Sequence, residues 1–163
     1  MRQRLLLFLL PFLSGCSFTA PPRDEAQWSS TVHGVAVTWR WTAPGALSGA
    51  DLHPGQVTMG ATHAAPGGTS CVIDIDPAAS RYQLPRVAAH EVGHCLQARY
   101  LKVGGDPRST DPYLNQTLER WPEAYAQAYL TACGPSLVPL GWRDAAPATC
   151  TAPPHPDDVP AGL

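Results

Sequence analysis

The stretch His90-Glu91-Val92-Gly93-His94 decides how this chain is organised. In an α-helix, with about 3.6 residues per turn, side chains four positions apart lie one above the other on the same face. His90 and His94 can therefore offer imidazole nitrogens to a single metal ion, as catalytic zinc sites require. Glu91 lies about 100° further round the helix, within reach of a water at the metal. The pattern predicts a helix that carries two zinc ligands and a general base.

The residues around the motif predict one helix over residues 84–101. Pro85 suits the first helical turn, where the missing N–H costs nothing, and Gly104-Gly105 ends the run. Gly93 costs a helix interior about 1 kcal/mol relative to alanine. Two explanations stay open: the glycine is merely tolerated, or it permits the close approach of a neighbouring backbone or a substrate.

Further elements follow from the patterning of the rest of the chain. Residues 35–41 and 70–76 are rich in β-branched or aromatic residues and predict strands, and residues 56–59 predict a shorter third strand. A second helix is predicted over residues 122–133, opened by its proline, after an exposed loop at residues 106–117. We expect an α+β fold, in which a small mixed or antiparallel sheet of about three strands packs on the HExxH helix and a second, glutamate-bearing helix.

The first residues are typical of a targeting segment. Arg2 and Arg4 precede an apolar run that is too short to span a bilayer as a mature helix. The run ends in Leu13-Ser14-Gly15-Cys16, which resembles the lipobox of bacterial lipoproteins. We expect residues 1–15 to be a removed signal peptide and Cys16 to carry a lipid that anchors the protein to a membrane of the cell envelope, outside the cytoplasm. An ordinary secretory signal with a coincidental cysteine is the alternative.

The remaining chain has the length of one domain. We expect this domain at residues 31–152, between a tether at residues 16–30 and a disordered, proline-rich tail at residues 153–163. The formal net charge is −2 and the chain has no basic block, which argues against nucleic acid as a partner.

Four cysteines follow Cys16, and an even number in an exported chain predicts two disulfides. Of the three possible connectivities, we favour Cys133–Cys150 together with Cys71–Cys95. The second pair has an alternative, because Cys95 lies inside the motif helix and a buried free thiol there is also compatible with the sequence.

A catalytic zinc site needs a third protein ligand. A histidine six residues after His94 is excluded, because Tyr100 stands there. The glutamates downstream of the motif are Glu119 and Glu123. We favour Glu123 because it falls inside the predicted second helix, whereas Glu119 precedes that helix and is the competing ligand.

The segment Glu123-Ala124-Tyr125-Ala126-Gln127 resembles the Glu-x-x-Ala-Asp helix of gluzincin-type HExxH zinc metallopeptidases. The resemblance covers this segment and the motif helix. It implies one Zn²⁺ per chain, held by His90, His94 and Glu123, and hydrolysis of peptide bonds with Glu91 as general base. Gln127 replaces the aspartate that supports a zinc-binding histidine in the family, and it brings no charge.

The resemblance further implies a peptide or protein substrate. It also implies an edge strand that binds extended substrate beside the site, which we expect at residues 71–76. Four residues are candidates by type for stabilising an anionic intermediate: Tyr100, Tyr125, Tyr129 and His63. The alternative function is a non-catalytic, zinc-binding surface lipoprotein that acts as a binding or assembly module, which the short chain and the glutamine at position 127 favour.

Overall fold

The computed structural model of the protein describes residues 26–47, 58–79, 83–101, 112–143 and 147–160, and for residues 112–117 the backbone alone. The strands are β1 (Gln27–Val32), β2 (Val35–Trp41), β3 (Gly60–Ala64) and β4 (Ser70–Ile75). The helices are α1 (Leu84–Leu96), which continues as a π-helical turn over Gln97–Leu101, and α2 (Pro112–Cys133), with 3₁₀ turns at Val138–Leu140 and Pro156–Asp158.

The four strands form one mixed sheet in the order β1-β2-β4-β3. β2 and β4 run parallel, and the two outer pairings are antiparallel. One face of the sheet contributes fully buried side chains such as Val37, Trp39 and Ile73 to the core that it shares with α1 and α2. The predicted α+β fold is thus confirmed, with four strands in place of about three.

Two strands differ from the sequence prediction. β1 is unpredicted, and it forms because His33 and Gly34, with φ of 46° and 74°, build a two-residue turn of the kind that closes hairpins. The third predicted strand is displaced: Thr58 and Met59 precede β3, and residues 56 and 57 lie outside the described residues. The sequence of β3, Gly-Ala-Thr-His-Ala, has little intrinsic preference for a strand, so it is pairing with β4 that makes it one.

α2 is longer than predicted. It begins at Pro112, so the backbone of residues 112–117 is helical where a loop was expected, and Pro122 lies inside the helix. A proline in a helix interior removes one backbone hydrogen bond and usually costs about 3 kcal/mol or more. The sequence prediction is wrong here because proline is far commoner in the first turn than in the middle of a helix.

Gly93 and Pro122 are where the two helices meet. A Cβ atom at Gly93 would lie only 2.7 Å from Cα of Pro122, which is closer than non-bonded carbon atoms allow. Of the two explanations for this glycine, the structure therefore supports the close approach of a neighbouring backbone.

The variant Gly93→Ala is expected to lower the free energy of unfolding by up to about 2 kcal/mol, because overpacking costs about 1–3 kcal/mol and helix propensity returns about 1 kcal/mol. Urea denaturation of the metal-free chain measures this change. An increase in stability of about 1 kcal/mol, the propensity gain alone, would contradict the close packing of the helices.

The ends of the domain also differ from the prediction. β1 begins at Gln27, inside the expected tether, so the domain starts before residue 31. The expected disordered tail is ordered through residue 160: Pro156 and Val159 are buried, and His33 Nε2 donates to the carbonyl oxygen of Pro153 at 3.1 Å.

The predicted signal peptide and the lipid site at Cys16 lie outside the described residues. Neither α1 nor α2 is long and apolar enough to cross a membrane.

Both favoured disulfides are confirmed. Cys71–Cys95 joins β4 to α1, with a Cα–Cα distance of 5.9 Å. Cys133–Cys150 joins the end of α2 to the C-terminal segment, with a Cα–Cα distance of 4.6 Å. The first bridge attaches the motif helix to the sheet at the residue directly after His94.

Candidate metal centre

His90 and His94 lie one turn apart on α1 and direct their Nε2 atoms to one place. The two Nε2 atoms are 3.2 Å apart, and the rings meet edge to face. Both side chains are mostly buried, at 20% and 23% exposed, so each ring is held by its surroundings and still reaches solvent. The predicted helical stacking of the two histidines is what the structure has.

Glu119 of α2 completes a triangle with the two histidines. Its Oε2 lies 2.9 Å from Nε2 of His90 and 3.4 Å from Nε2 of His94. In a tetrahedral zinc site with bonds of about 2.0–2.1 Å, ligand atoms are about 3.3 Å from one another. The three edges of the triangle, 3.2, 2.9 and 3.4 Å, are close to that separation. The geometry and the donor types therefore fit a zinc ion that retains one open position.

The structure does not bring Glu123 to this triangle, which corrects the predicted third ligand. Oε2 of Glu123 lies 3.5 Å from Nδ1 of His90, on the other side of the ring, and Oε1 accepts from Nη2 of Arg86 at 2.7 Å. The physical reason is that α2 begins at Pro112 and not, as predicted, at Pro122. Since α2 continues through Pro122, Glu119 and Glu123 lie one turn apart on the same face, and it is Glu119 that reaches the Nε2 atoms.

Gln127 also has a different partner from the one predicted. Its Nε2 donates to Oε1 of Glu123 at 3.1 Å, so it supports a carboxylate rather than a histidine. Arg86, four residues before His90 on α1, donates to Glu123 and was not among the predicted site residues. The four-residue spacing of Arg86, His90 and His94 places all three on one face of α1, which is the sequence signal that could have identified Arg86.

Glu91 is buried against β3, with only 7% of its surface exposed. Its Oε2 accepts from the hydroxyl of Thr62 at 2.8 Å. Burial raises the pKa of Glu91, while the attraction of His94 and the hydrogen bond from Thr62 act in the opposite direction. A carboxyl group with a raised pKa is suited to accept a proton and to hold it.

The charges of the metal-free cluster shift the pKa values of its members in opposite directions. Burial lowers the pKa of His90, but the hydrogen bond to Glu119 and the attraction of the nearby carboxylates outweigh it, so the net pKa is raised. Burial raises the pKa of Glu119, but hydrogen bonds and attraction from both histidines outweigh it, so the net pKa is lowered. In the metal-free site, both shifts favour the charged forms, the protonated imidazole of His90 and the carboxylate of Glu119.

We expect this pair to stabilise the metal-free fold most between pH 4.5 and pH 6.5, the ordinary pKa values of Glu and His. The contribution of His90, whose pKa is raised, is complete below 6.5 and is lost as the pH rises through the raised value. That of Glu119, whose pKa is lowered, is complete above 4.5 and is lost as the pH falls. Urea denaturation of the wild type and of His90→Ala from pH 3 to pH 9 measures the difference. A difference that does not vary with pH would contradict the pairing, and His63→Ala controls for the loss of a surface histidine.

The four candidates for stabilising an anionic intermediate have other places in the structure. Tyr100 and Tyr129 donate their hydroxyl groups to the carbonyl oxygens of His33 and Ser136. His63 lies on the sheet face opposite to Thr62, where Nε2 is 3.4 Å from Oδ2 of Asp74. The hydroxyl of Tyr125 is buried without a partner among the described residues, and burial raises its pKa. None of the contacts described here for these residues involves His90, His94 or Glu119.

The chain was compared with protein-family models, with curated proteins and with solved structures. No family model matches it, and no curated protein or solved structure matches it either.

Proposed function

We propose that the protein is a zinc-dependent metallopeptidase, with zinc held by His90, His94 and Glu119 and with Glu91 as general base. The observation that carries the proposal is the triangle of Nε2, Nε2 and Oε2 atoms, whose edges match those of a three-ligand zinc site. Two imidazoles and one carboxylate are a donor set of catalytic zinc sites, which keep an open position for water or substrate.

The residues around the triangle support the same function. Glu123 faces Nδ1 of His90 and is itself bonded by Arg86 and Gln127. A carboxylate at this position fixes the ring orientation and makes the imidazole a better ligand. With its start extended to include Glu119, α2 therefore carries two glutamates with two roles: Glu119 as a ligand, and Glu123 as the support of the ligand His90.

Zinc held by these three residues would be a Lewis acid that polarises a carbonyl group and lowers the pKa of water. Glu91 takes the proton of the attacking water at a carboxylate oxygen and passes it to the nitrogen of the leaving amine. The burial of Glu91 suits this step, because burial favours the protonated form that the group takes between the two transfers.

A peptide is the substrate class that the edge of the sheet favours. β4 is paired on both sides, so the expected edge strand at residues 71–76 is wrong, and among the described residues β3 is the edge strand beside α1. An extended peptide can add to such an edge through main-chain hydrogen bonds. β3 also contacts Glu91 through Thr62, which brings a bound peptide and the general base to one place.

The location that we propose is the cell envelope, with a lipid on Cys16 as the membrane anchor. Two disulfides in the described residues agree with an oxidising compartment outside the cytoplasm. The leader-like residues 1–15 are the sequence support for export.

The experiment uses the full chain, purified in mild detergent, stripped with a chelator and reloaded with zinc. Elemental analysis should give about one zinc per chain. A set of internally quenched peptides should be cleaved by the loaded form and not by the stripped form. Zinc without cleavage would support the binding or assembly module instead, and the absence of zinc after reloading would overturn both functions.

A further inference from the structure

The carboxylate of Glu91 packs against β3. The hydroxyl of Thr62 lies 2.8 Å from Oε2 of Glu91 and 3.0 Å from its carbonyl oxygen. Thr62 is paired with Ile73 of β4, which is fully buried, so the strand that carries the hydroxyl is fixed to the core. The side chain and the backbone of Glu91 are thus both within hydrogen-bonding distance of one threonine.

Gly60 is the second residue of β3 against which Glu91 packs. A Cβ atom there would lie 2.6 Å from Oε1 of Glu91 and 2.7 Å from its Cγ. Because residues two apart on a strand share a face, Gly60 and Thr62 both face α1. Gly60 leaves the volume that the carboxylate fills, and Thr62 supplies the hydrogen bond; we call these two residues the β3 seat.

We propose that Thr62 is a positioning residue for Glu91, which it holds in the β3 seat so that the base and the substrate-binding edge strand keep one fixed geometry. The inference rests on the proposed function. A glutamate side chain has three rotatable bonds, and a catalytic group must stay within about 0.5 Å of its productive position. Displacement by about 1 Å can cost about 100-fold in rate.

The contact is unlike ordinary packing because it joins an edge strand to the one acidic residue of α1. A threonine hydroxyl has one proton, so it donates to one of its two acceptors at a time. Donation to the carboxylate is the stronger of the two, since hydrogen bonds to charged groups are about twice as strong as neutral ones. Loss of the hydroxyl therefore frees the carboxylate, while the strand pairing of β3 stays in place.

The first test compares Thr62→Val, which keeps the shape and removes the hydroxyl, with Thr62→Ser, which keeps the hydroxyl. With quenched peptides, Thr62→Val should lower kcat by about tenfold or more and leave KM within about twofold, as expected when only orientation is lost. Thr62→Ser should restore kcat. Zinc content should be the same in all three proteins.

The second test needs no turnover. Glu91 is the residue directly after His90 on α1, so in the cobalt-loaded chain its carboxylate should repel an anionic ligand of the metal. Azide binding is measured through the visible absorption of cobalt. Azide should bind severalfold more tightly to Thr62→Val than to the wild type, and Glu91→Gln should bind it as tightly as Thr62→Val does. Thr62→Ser should bind azide as the wild type does.

A third test uses the metal-free chain, in a double-mutant cycle of Thr62→Val and Glu91→Ala followed by urea denaturation. The unfolding constants should be coupled by about tenfold or more, as for a hydrogen bond to a charged group. Coupling below about twofold would overturn the inference whatever the metal content. Cleavage by the wild type with unchanged kcat and azide binding in Thr62→Val would overturn it while the proposed function stands. If the protein binds zinc but cleaves no peptide, and the coupling of Thr62 to Glu91 and the azide effect are both observed, the proposed function is wrong and the positioning role of Thr62 stands.

Discussion

Glu119→Ala is expected to weaken zinc binding by more than 100-fold, whereas Glu123→Ala should weaken it by about 10- to 100-fold. Glu119 supplies the third atom of the triangle, and its removal would leave two of the three proposed ligands. Glu123 contacts the far nitrogen of His90, so its removal loosens a ring and leaves all three ligands in place. The two variants differ by one helical turn and are otherwise the same chemical change.

Competition with a fluorescent zinc chelator at fixed pH measures both affinities in the full chain. The order of the two effects decides the assignment, because the sequence alone favours Glu123 and the structure favours Glu119. If Glu123→Ala had the larger effect, the ligand triangle would be wrong. The metal-free proteins should also be compared by urea denaturation, so that a loss of folding is not taken for a loss of affinity.

The second large effect is expected from Glu91→Gln, which should lower kcat/KM for peptide cleavage by about 10²- to 10⁴-fold. Glutamine has nearly the same shape and can still accept from the hydroxyl of Thr62, but it cannot take a proton from water. Zinc content should be unchanged, because Glu91 is not part of the ligand triangle.

Kinetics with quenched peptides and elemental analysis of the same samples give both numbers. Asp157→Asn is the matched control, because it is the same acid-to-amide change at an exposed carboxylate of the C-terminal 3₁₀ turn and should leave cleavage as in the wild type. Cleavage by Glu91→Gln at the wild-type rate would contradict the role of Glu91. Loss of zinc in the same variant would show that Glu91 acts as a ligand.

The sequence predicts those parts of the fold in which local pattern and tertiary packing agree. The stacking of His90 and His94 follows from helix geometry alone, and β2 is strongly patterned enough that its predicted bounds are those observed. The presence of two disulfides is predicted from cysteine number and context, and the favoured one of three connectivities is the one observed. For the histidines and β2, the residues involved are sufficient to determine the local outcome.

The parts that the sequence does not predict depend on residues distant in the chain. Pro122 is a helix-start residue by preference, yet it lies inside α2 and packs against Gly93. Because the sequence places the helix start at Pro122, it favours Glu123 as the third ligand, whereas the structure brings Glu119 to the two histidines. Thr62 could not be identified either, because β3 owes its existence to pairing with β4 and its own sequence gives no sign of it.

The bridge between Cys71 and Cys95 changes what a metal ion would have to contribute to this protein. In small zinc-binding modules the free energy of metal binding is the free energy of folding, and chelators denature them. Here the ligand helix is joined covalently to the sheet one residue beyond His94, and the cross-link alone is worth about 3–4 kcal/mol for a loop of this size. The site is therefore preorganised: a chelator should empty it and leave the fold standing, and nearly all of the binding free energy should appear as affinity.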